Sequence, residues 1–561
     1  MDTVARTLRS LPELALFLSL ALGYAIGSVK IKGFGLGSVV GTLVVAMILG
    51  QAGIDIHPFA KTVFFALFMF GVGYQVGPEF FRGLRKGGLP MIVLSATFCI
   101  VALGTVILTA KLFGLDKGLA AGMLSGALTQ SSAIGTSTEA IQRLPLDQAT
   151  RNVLASHVPI GDAVTYLFGT AGVLIFLIKI LPRIGRFNLR EECLKYEKSL
   201  GGGGPSRSVV FDSYVAVDVQ AFRLTNGGAV GRKIGDLEQD LATEKARLCV
   251  QQIHRGRELL SPGKDEILRE GDVIAISGSR ERLLEVQTRL GTQVVDPEVM
   301  DFPFESVSII VTSKAAAGKT IAELVQEHDP RGVHLRRITR VGHEMPRLPN
   351  TRLERGDALD VAGRRDDVER AGTLLGFVDR PRETSDITFL GLAVATGVIV
   401  GILSLRIAGV PISLGTGGGV LVAGLCFGWL HSVRPKWGRI PAPAVWLMQN
   451  VGLNTFVALV GLSAAPHLVE AMKSSGISLL IAGIIVSMVP HVVIACLGRF
   501  VFKLNGGLLV GACAGAGTCT PALSAAIEEG DSRVPALGYT IPYALSNVVL
   551  TAWGQVVVAL I

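Results

Sequence analysis

The sequence has few residues suited to redox, metal or disulfide chemistry. Only seven of its 561 residues are cysteines, and they stand apart, with no C-x-x-C pair and no spacing typical of metal ligands. Seven isolated thiols argue against a disulfide framework and against a zinc or iron–sulfur site. We therefore expect reduced packing cysteines, no metal and no cofactor.

Two further motifs are incomplete, and each gap argues against a class of protein. The segment SKAAAGKT (313–320) ends like a phosphate-binding loop, but Ser313 stands where the first glycine is needed. The tripeptide VGY (72–74) matches part of the motif found in potassium-channel filters, but Gln75 follows it where that motif has glycine. No Ser, His and Asp spacing indicates a catalytic triad. We predict neither an enzyme nor an ATP-driven pump, and we keep a cation channel as a second alternative only.

Charge is scarce at both ends of the chain and concentrated in its middle. Mean hydropathy is +0.50 and 49% of the residues are hydrophobic, which does not fit an ordinary soluble protein. Residues 183–386 hold 33 of the 45 acidic residues and 32 of the 53 basic ones. Apolar runs near the span length of ~20 residues recur on both sides of this middle part. The predicted spans lie in Leu14–Val29, Gly37–Gly53, Phe59–Val76, Leu89–Leu112 and Pro159–Leu181, and again from Phe389 onward.

The basic excess belongs to the membrane parts. Outside 183–386 the chain has 21 basic and 12 acidic residues, so its pI near 9.1 reflects short loops between spans and gives no support to a nucleic-acid partner. Arg6 and Arg9 precede the apolar run Leu14–Ala25 as in a signal peptide, but no convincing cleavage site follows. We expect this run to be a retained first span.

Two passages nearly four hundred residues apart carry the same pattern. GALTQSSAIGTSTEAI (126–141) and GAGTCTPALSAAI (515–527) align with a shift of 389, which places Thr129 on Thr518. The chain is therefore predicted to be a duplicated membrane protein with a Gly- and hydroxyl-rich interruption in each copy. Paired interruptions of this kind point to the substrate site of a transporter. Further matches are LGSVVG (36–41) with LGTGGG (414–419), and Gly73 with Gly461.

Loop charges predict that the two halves have opposite orientations. Basic loops mark the cytoplasmic side, and in the second half they occupy the opposite positions of the repeat. Inversion requires an odd number of crossings, so Gly118–Ile141 and Gly507–Ile527 are predicted to be re-entrant hairpins. A plain twelve-span model with both termini inside is the alternative. The basic residues are Lys30, Lys32, Arg82, Arg85, Lys86 and Lys179 through Arg190 in the first half, and Arg434, Lys436, Arg439, Arg499 and Lys503 in the second.

The interruption in each hairpin is the predicted substrate site. A broken helix leaves backbone N–H groups unpaired, and these groups and the positive end of the helix dipole attract carboxylates. Such a site holds an anion without Arg or Lys, and neither lies deep in a predicted span. Pro521 is expected to free a backbone carbonyl at the break. Close helix packing is the alternative role for the small residues. The predicted substrate-binding residues are Thr129, Gln130, Ser131 and Ser132, with Thr518, Cys519, Thr520 and Pro521 opposite.

The span after each hairpin adds polar candidates. Asp162 is the acidic residue nearest a membrane interior, and we predict that it binds a substrate ammonium or carries a proton. A helix cap at the membrane interface is its alternative role. In the last span, Asn547 and Tyr543 are predicted to contribute to the site. The same two spans also supply His157, Pro159, Tyr539 and Pro542.

The charged middle contains two similar modules after the flexible linker GGGGP (201–205). GRKIGDL (231–237) recurs as GKTIAEL (318–324), and REGDVIAISG (269–278) recurs as ERGDALDVAG (354–363). Short strand patterns that alternate with helical ones predict two small α+β domains. The pattern resembles the C-terminal RCK (TrkA-C-like) domain of potassium-transport regulators. The resemblance implies cytoplasmic regulation or assembly, with a small regulatory ligand or a pure scaffold role left open.

The whole chain resembles the aspartate:alanine exchanger family. The resemblance rests on GALTQSSAIG, GAGTCTPALSAA, FGVGYQVGPEFF (70–81) and twin modules between two membrane halves. It implies a bacterial inner-membrane secondary transporter that exchanges L-aspartate for L-alanine electrogenically, with relatives that export succinate. Family hairpins carry T-x-T-P-A-L in both halves, whereas the first copy here has Ser132 and Ile134 in place of Pro and Leu. A succinate exporter is therefore the first alternative, and an RCK-regulated cation transporter is the second.

These predictions combine into one architecture. The fold class is an α-helical polytopic membrane protein, an inverted repeat of about five spans and one re-entrant hairpin per half, with two inserted cytoplasmic α+β domains. We expect alternating access of an elevator type, a homodimer, a cytoplasmic segment at 183–386 and both termini outside. The predicted domains are membrane repeat 1–182, linker 183–205, RCK-C-like domains 206–295 and 296–380, and membrane repeat 381–561.

Overall fold

The chain divides into two compact units. We call Met1–Cys193 together with Glu383–Ile561 the membrane unit, and Leu194–Arg382 the soluble unit. The linker GGGGP and the basic residues Lys32, Arg85 and Lys86 lie outside the described residues. The computed structural model describes residues 2–561 except 32–33, 36, 55, 84–88, 201–216, 226–227, 242–247, 262, 329–330, 381–383 and 408–409.

The first half of the membrane unit consists mainly of apolar helices. Acidic caps fix two helix starts, because Asp116 accepts a hydrogen bond from the N–H of Gly118 (2.8 Å) and Asp147 accepts one from Thr150 (2.9 Å). The elements are α1 (Asp2–Ser10), α2 (Pro12–Ser28), β1 (Lys30–Ile31), β2 (Phe34–Gly35), α3 (Ser38–Gly50), α4 (Pro58–Gly83), α5 (Leu89–Phe113), α6 (Lys117–Ala127), α7 (Ser132–Gln142) and α8 (Gln148–Leu167).

The last span of this half continues beyond α8 through two π-helical segments, Phe168–Gly172 and Phe176–Ile180. Each segment adds one residue to the hydrogen-bonding pattern of the helix and changes the direction of the helix. Two short pieces complete the span, and a polar helix follows it toward the soluble unit. These pieces are α9 (Val173–Ile175), α10 (Leu181–Ile184) and α11 (Leu189–Ser199).

The soluble unit contains two five-stranded antiparallel sheets with short helices. The first module has β3 (Val217–Leu224), α12 (Ile234–Leu241), β4 (Cys249–Arg255), β5 (Glu258–Leu260), β6 (Val273–Ser279), α13 (Arg280–Leu290), β7 (Gly291–Val294) and α14 (Pro297–Met300). The second has β8 (Phe304–Val311), α15 (Ile321–His328), β9 (Val333–Arg340), β10 (His343–Glu344), β11 (Ala358–Arg364), α16 (Arg365–Leu375) and β12 (Gly376–Asp379). The strand orders, β5-β4-β6-β3-β7 and β10-β9-β11-β8-β12, match element by element. The predicted pair of α+β domains is confirmed.

One ion pair recurs in both modules and explains the repeated G-D motif. Arg255 bonds Asp272 through Nε and Nη2, at 3.0 and 2.9 Å. Arg340 makes the same two bonds to Asp357, both at 2.7 Å. Both carboxylates are buried, and a buried carboxylate without its partner would be strongly destabilising. Each bidentate pair therefore fixes the turn that precedes the central strand of its sheet.

The two modules contact each other through side chains of their sheets and of α12. Arg331 Nε lies 2.8 Å from Glu238 Oε2. His334 Nε2 lies 2.8 Å from Ser277 Oγ. Burial lowers the pKa of His334 from its usual value near 6.5 to about 4. The neutral imidazole is therefore part of the folded soluble unit.

We expect the contact between the modules to weaken in acid. The folded state holds His334 neutral, so its stabilising effect is complete above the unfolded pKa near 6.5 and is lost as the pH falls toward about 4. At pH 5 this difference corresponds to a loss of about 2 kcal/mol. Hydrogen exchange of the purified full-length protein should show faster exchange in β6 and β9 at pH 5 than at pH 7, after correction for intrinsic rates. His334→Gln should remove this acid effect, and an unchanged pH profile in that variant would contradict the assignment.

The second half of the membrane unit repeats the element order of the first. A π-helical segment, Leu497–Val501, ends one of its long helices, and a short 3₁₀ turn, Ala465–His467, separates that helix from the one before it. The elements are α17 (Ile387–Ile402), β13 (Ser404–Ile407), β14 (Val410–Ser413), α18 (Gly415–Val433), α19 (Ala442–Ala464), α20 (Leu468–Cys496), α21 (Gly506–Ala516), α22 (Thr520–Gly530) and α23 (Val534–Leu560).

The repeat pairs α2–α8 with α17–α23, element by element. Within the described residues, six helical stretches are long and apolar enough to cross a membrane, and α2, α3 and α17 are shorter apolar helices. With the shorter helices included, each half has five apolar helical elements and one broken helix pair, which confirms the predicted fold class. The six stretches are Phe59–Phe81, Leu89–Phe113, Gln148–Ile184, Gly415–Val433, Ala442–Val501 and Val534–Leu560.

The helices pack as two bundles, and each bundle takes elements from both halves. In the scaffold bundle α2, α3 and α4 pack with α17, α18 and α19, and in the hairpin bundle α5 to α8 pack with α20 to α23. Glycines allow the closest approaches inside the hairpin bundle. A Cβ on Gly122 would lie 2.1 Å from the carbonyl oxygen of Val158, and one on Gly511 would lie 1.9 Å from that of Pro535. Each broken helix pair is therefore held tightly against the long helix that follows it.

Candidate functional site

Each motif forms a broken helix pair that turns back on itself. Residues 128–131 join α6 to α7, and residues 517–519 join α21 to α22. Both turns hold a threonine in the left-handed region, Thr129 at φ 52° and Thr518 at φ 50°. β-branched residues rarely adopt this conformation, so the two breaks share an uncommon backbone strain at matched positions.

The two turns contact each other in a reciprocal way. Thr129 Oγ1 donates to the carbonyl oxygen of Gly517, and Thr518 Oγ1 donates to that of Leu128, both at 3.1 Å. Each threonine therefore binds the backbone that precedes its partner in the other turn. The structure brings the two sequence motifs together at one place in the hairpin bundle.

The helix ends at this place lack side-chain caps. α7 and α22 begin at the turns with no hydrogen bond from the side chains of their N-cap residues, Ser131 and Cys519. At the outer ends of the hairpins, Asp116 caps α6 and Asn505 caps α21. Some first-turn amides bond turn carbonyls, as Ala522 N–H does with Cys519, but the positive end of each helix dipole still favours an anion near the turns.

Pro521 lies at the break of the second hairpin, where the sequence placed it. It is the second residue of α22, within the first turn of that helix, where a missing N–H is tolerated. The carbonyl oxygen four residues earlier, that of Gly517, accepts a hydrogen bond from Thr129 Oγ1.

Gln130 joins the first turn to the last span. Its Nε2 lies 2.8 Å from Thr551 Oγ1 and 3.2 Å from Asn547 Oδ1. Ser132 Oγ lies 2.5 Å from the same Thr551 hydroxyl and also contacts Gln130 Nε2. All four side chains are buried. This network places Gln130, Ser132 and Asn547 in one polar cluster that the sequence predicted only in part, because Thr551 was missed.

Asp162 lies inside α8 and is fully buried. Its Oδ1 accepts a hydrogen bond from Ser125 Oγ at 2.6 Å, and its Oδ2 has no hydrogen-bond partner in the described part of the chain. Asp147, not Asp162, caps the start of α8, so the alternative role as a helix cap is wrong. Tyr166, one turn further on, interacts electrostatically with Asp162 and with Cys519. Asp162 thus lies beside the first hairpin, against Ser125 and Gly126.

The second turn is backed by two stacked tyrosines of α23. Thr520 Oγ1 lies 3.0 Å from the hydroxyl of Tyr539. The rings of Tyr539 and Tyr543 stack with centroids 5.0 Å apart, and Tyr543 bonds Asn547. Tyr543 and Asn547 are therefore connected to both turns.

Two polar residues of the long helix α20 reach the hairpins and were missed from the sequence. Ser487 Oγ donates to the carbonyl oxygen of Ala127 at 3.0 Å. His491 is fully buried, its Nδ1 bonds the Ser487 carbonyl oxygen at 2.6 Å, and its ring lies against Gly517. The only sequence signal is their spacing of four in an apolar helix, which places both on one face.

His157 does not join the site. Its Nδ1 lies 2.7 Å from Asp116 Oδ2, at the outer end of α6. Pro159 and Pro542 lie inside α8 and α23, the two helices against which the hairpins pack. These residues shape the long helices and do not contribute to the polar cluster.

The matched second arms of the two hairpins differ in exposure. In α7 and its N-cap, Ser131, Ser132 and Gly135 are buried. Their repeat partners before and in α22, namely Thr520, Pro521 and Ser524, are exposed. The second arm of the first hairpin is therefore covered, and the second arm of the second hairpin is open.

Two contacts with the scaffold bundle cover the first hairpin. The Phe65 ring fills the space between Gly135 and Gly417, since a Cβ on either glycine would lie within 2.1 and 2.0 Å of the ring. Glu139 Oε1 accepts a hydrogen bond from the N–H of Gly417, in the first turn of α18, at 3.3 Å. A carboxylate at a helix N-terminus is favourable, so Glu139 ties α7 to the scaffold bundle.

Comparison with known families identifies the chain. The membrane region described as a predicted permease of the Asp-Al exchanger family matches residues 15–182 and 389–559. The chain belongs to the aspartate:alanine exchanger family. The TrkA-C domain matches residues 219–291 and 306–376, which confirms the resemblance of the two modules of this exchanger-family permease.

Similar proteins are found in several bacteria, and each bears the name of an uncharacterized transporter. The protein from Shewanella oneidensis is 37% identical over 100% of both chains. That from Bordetella parapertussis is 37% identical over 100% of this chain and 98% of its own. That from Bradyrhizobium diazoefficiens is 38% identical over 90% of this chain and 98% of its own. No solved structure matches this family member.

Proposed function

We propose that this permease exchanges small carboxylates, L-aspartate for L-alanine, by alternating access. The observation that carries the proposal is the pair of cross-bonded turns, where two uncapped helix starts meet. The segments 118–141 and 507–527 contain no Lys or Arg. Backbone amides and the helix dipoles are then the groups that attract a carboxylate.

Asp162 completes the proposed site for an amino acid. Its unpartnered Oδ2 is a buried acceptor beside Ser125 and the first hairpin. A substrate ammonium needs acceptors and a negative charge, whereas a carboxylate needs donors. The uncapped helix ends and Asp162 supply both kinds of group. Thr129, Gln130, Ser131, Ser132, Thr518, Cys519, Thr520, Pro521, Tyr543 and Asn547 are the other proposed binding residues.

The exposed second hairpin indicates to which side of the membrane this state of the proposed transport cycle is open. The outer end of α22 is tied to the segment before the soluble unit, because Arg190 Nη2 lies 2.9 Å from Asp531 Oδ2 and Lys179 Nζ lies 3.1 Å from Glu529 Oε1. If 183–386 is cytoplasmic, as we propose, the structure is open to the cytoplasm. An elevator-type movement of the hairpin bundle against the scaffold bundle would then close this side and open the other.

The exchange is tested by counterflow in proteoliposomes made with the purified full-length protein. Vesicles preloaded with L-alanine, L-aspartate or succinate receive labelled L-aspartate outside. We expect rapid uptake with L-alanine or L-aspartate inside and only background uptake in empty vesicles. Uptake driven by succinate alone would favour the dicarboxylate exporter. Potassium or sodium flux without any carboxylate exchange would favour a cation transporter.

Assembly and placement are further parts of the proposal. We propose a homodimer in a bacterial inner membrane, with both chain termini outside and with the TrkA-C modules as sites for a small regulatory ligand. Light scattering of the detergent-solubilised protein should give the mass of two chains. A mass of one chain would remove the dimer from the proposal without affecting the transport site.

A further inference from the structure

Each residue that covers the first hairpin has a repeat partner in the opposite half of the chain. Phe65, which fills the gap beside α7, corresponds to Leu453 of α19. Glu139 of α7 corresponds to Glu528 of α22, which is exposed. The other pairs are Gly135 with Ser524, Gly417 with Val39, and Gly415 with Gly37.

The helix start that would receive Glu528 has the same backbone as the one that receives Glu139. Gly415, the first residue of α18, has φ 73°, and Gly37, the N-cap residue of α3, has φ 79°. α3 has no side-chain cap at its N-terminus. The start of α18, in the second half, holds the Glu139 carboxylate of the first half, so its repeat partner α3 offers an equivalent set of amides.

The packing volumes are also complementary. In the covered half, a large Phe65 ring faces two glycines, Gly135 and Gly417. In the open half, the smaller Leu453 would face the larger residues Ser524 and Val39. A smaller side chain opposite larger partners fills a comparable space, as close packing requires.

The exposed face of α22 carries polar groups that can be hydrated in this state and hydrogen-bonded in another. Thr520, Ser524 and Glu528 follow each other at a spacing of four, so two hydroxyls and a carboxylate share one face. A carboxylate facing lipid would be costly. A face of this composition therefore suits water better than lipid.

We propose that Glu139 and Glu528 are alternate positioning residues for the two end states of transport. In the end state opposite to this structure, Glu528 accepts hydrogen bonds from the first amides of α3, and Leu453 covers Ser524. Glu139 then leaves the start of α18, and the first hairpin opens. The inference rests on the proposed transport cycle, and it does not depend on which carboxylate is carried.

The equilibrium between the two states can be measured without any substrate. Ser524→Cys is introduced in a background in which the exposed Cys426 and Cys496 are replaced by alanine. Its rate of labelling by a maleimide in the detergent-solubilised full-length protein reports how far the second hairpin is open. Glu139→Gln should lower this rate and Glu528→Gln should raise it, each by about threefold to tenfold, as expected for loss of one helix-end contact.

Glu529→Gln is the matched control on the same arm. Glu529 pairs at the surface with Lys179, which belongs to the same hairpin bundle, so its loss should leave the labelling rate unchanged. Shifts in the same direction for Glu139→Gln and Glu528→Gln would overturn the proposal, because a general loss of stability affects both alike. Equal rates in all three variants would also overturn it.

Cross-linking provides an independent measurement. Phe65→Cys with Gly135→Cys should form a disulfide in the present state, and Leu453→Cys with Ser524→Cys should form one only when the hairpin bundle moves. Each cross-link should abolish counterflow, and reduction should restore it. Failure of the second pair to cross-link during exchange would overturn the proposal. Cross-linking of both pairs in a protein that exchanges no carboxylate would instead contradict the proposed substrate and leave the alternate contacts intact.

Discussion

Replacing either turn threonine by valine should lower exchange about tenfold or more. Thr129→Val and Thr518→Val keep the β-branched shape, and so keep the cost of the left-handed backbone, but they remove the hydroxyl that bonds the opposite turn. The acceptor carbonyl is then left buried without this donor, a loss of about 1–3 kcal/mol. Counterflow of L-aspartate against L-alanine in proteoliposomes measures the effect directly.

The matched variants separate the hydroxyl from the packing. Thr129→Ser and Thr518→Ser retain a donor and should keep most of the activity. Thr109→Val removes a buried hydroxyl that, within the described residues, bonds carbonyl oxygens of its own helix and Met123, away from the turns, and should have little effect. The two valine variants combined should lose less than the product of the single losses, because both act on one contact between the turns. Independent losses would show that the turns do not act together.

Asp162→Asn should separate amino acids from dicarboxylates. The substitution keeps the size and the bond to Ser125 but removes the negative charge that we assign to the substrate ammonium. Leaving an ammonium without its buried partner costs about 3–5 kcal/mol, so exchange of L-aspartate and L-alanine should fall by a hundredfold or more. Succinate has no ammonium, and any exchange of succinate should survive the substitution. The measurement is counterflow of labelled L-aspartate and labelled succinate in parallel vesicles.

The result distinguishes the two roles that the sequence left open for Asp162. An equal loss for both solutes, together with loss of a proton flux coupled to transport, would identify a proton carrier. Equal losses without any proton flux would indicate that Asp162 only supports the fold around Ser125 and Tyr166.

Much of the candidate site was predictable because its motif occurs in both halves of the chain. The shift that aligns Thr129 with Thr518 also aligns their backbone conformations, and the turns predicted from glycine and hydroxyl content are the turns observed. Thr551, Ser487 and His491 were not predictable in the same way. They lie in long apolar helices without a local motif, and only the packing of α20 and α23 against the hairpins brings them to the turns.

One error has a physical cause as well. Asp162 could be read as a helix cap because residue type alone does not say where a helix starts, and the true cap, Asp147, stands fifteen residues earlier.

The sequence alone determined the duplication, the soluble modules and the two interrupted helices, because each depends on local composition and on a pattern that recurs along the chain. The opposite states of the two hairpins were decided only by the tertiary structure. Ser131 and Thr520, or Glu139 and Glu528, are equivalent by sequence, yet one of each pair is packed and the other exposed. An inverted repeat has two equivalent ways to pack its halves, and a single packed chain must adopt one of them.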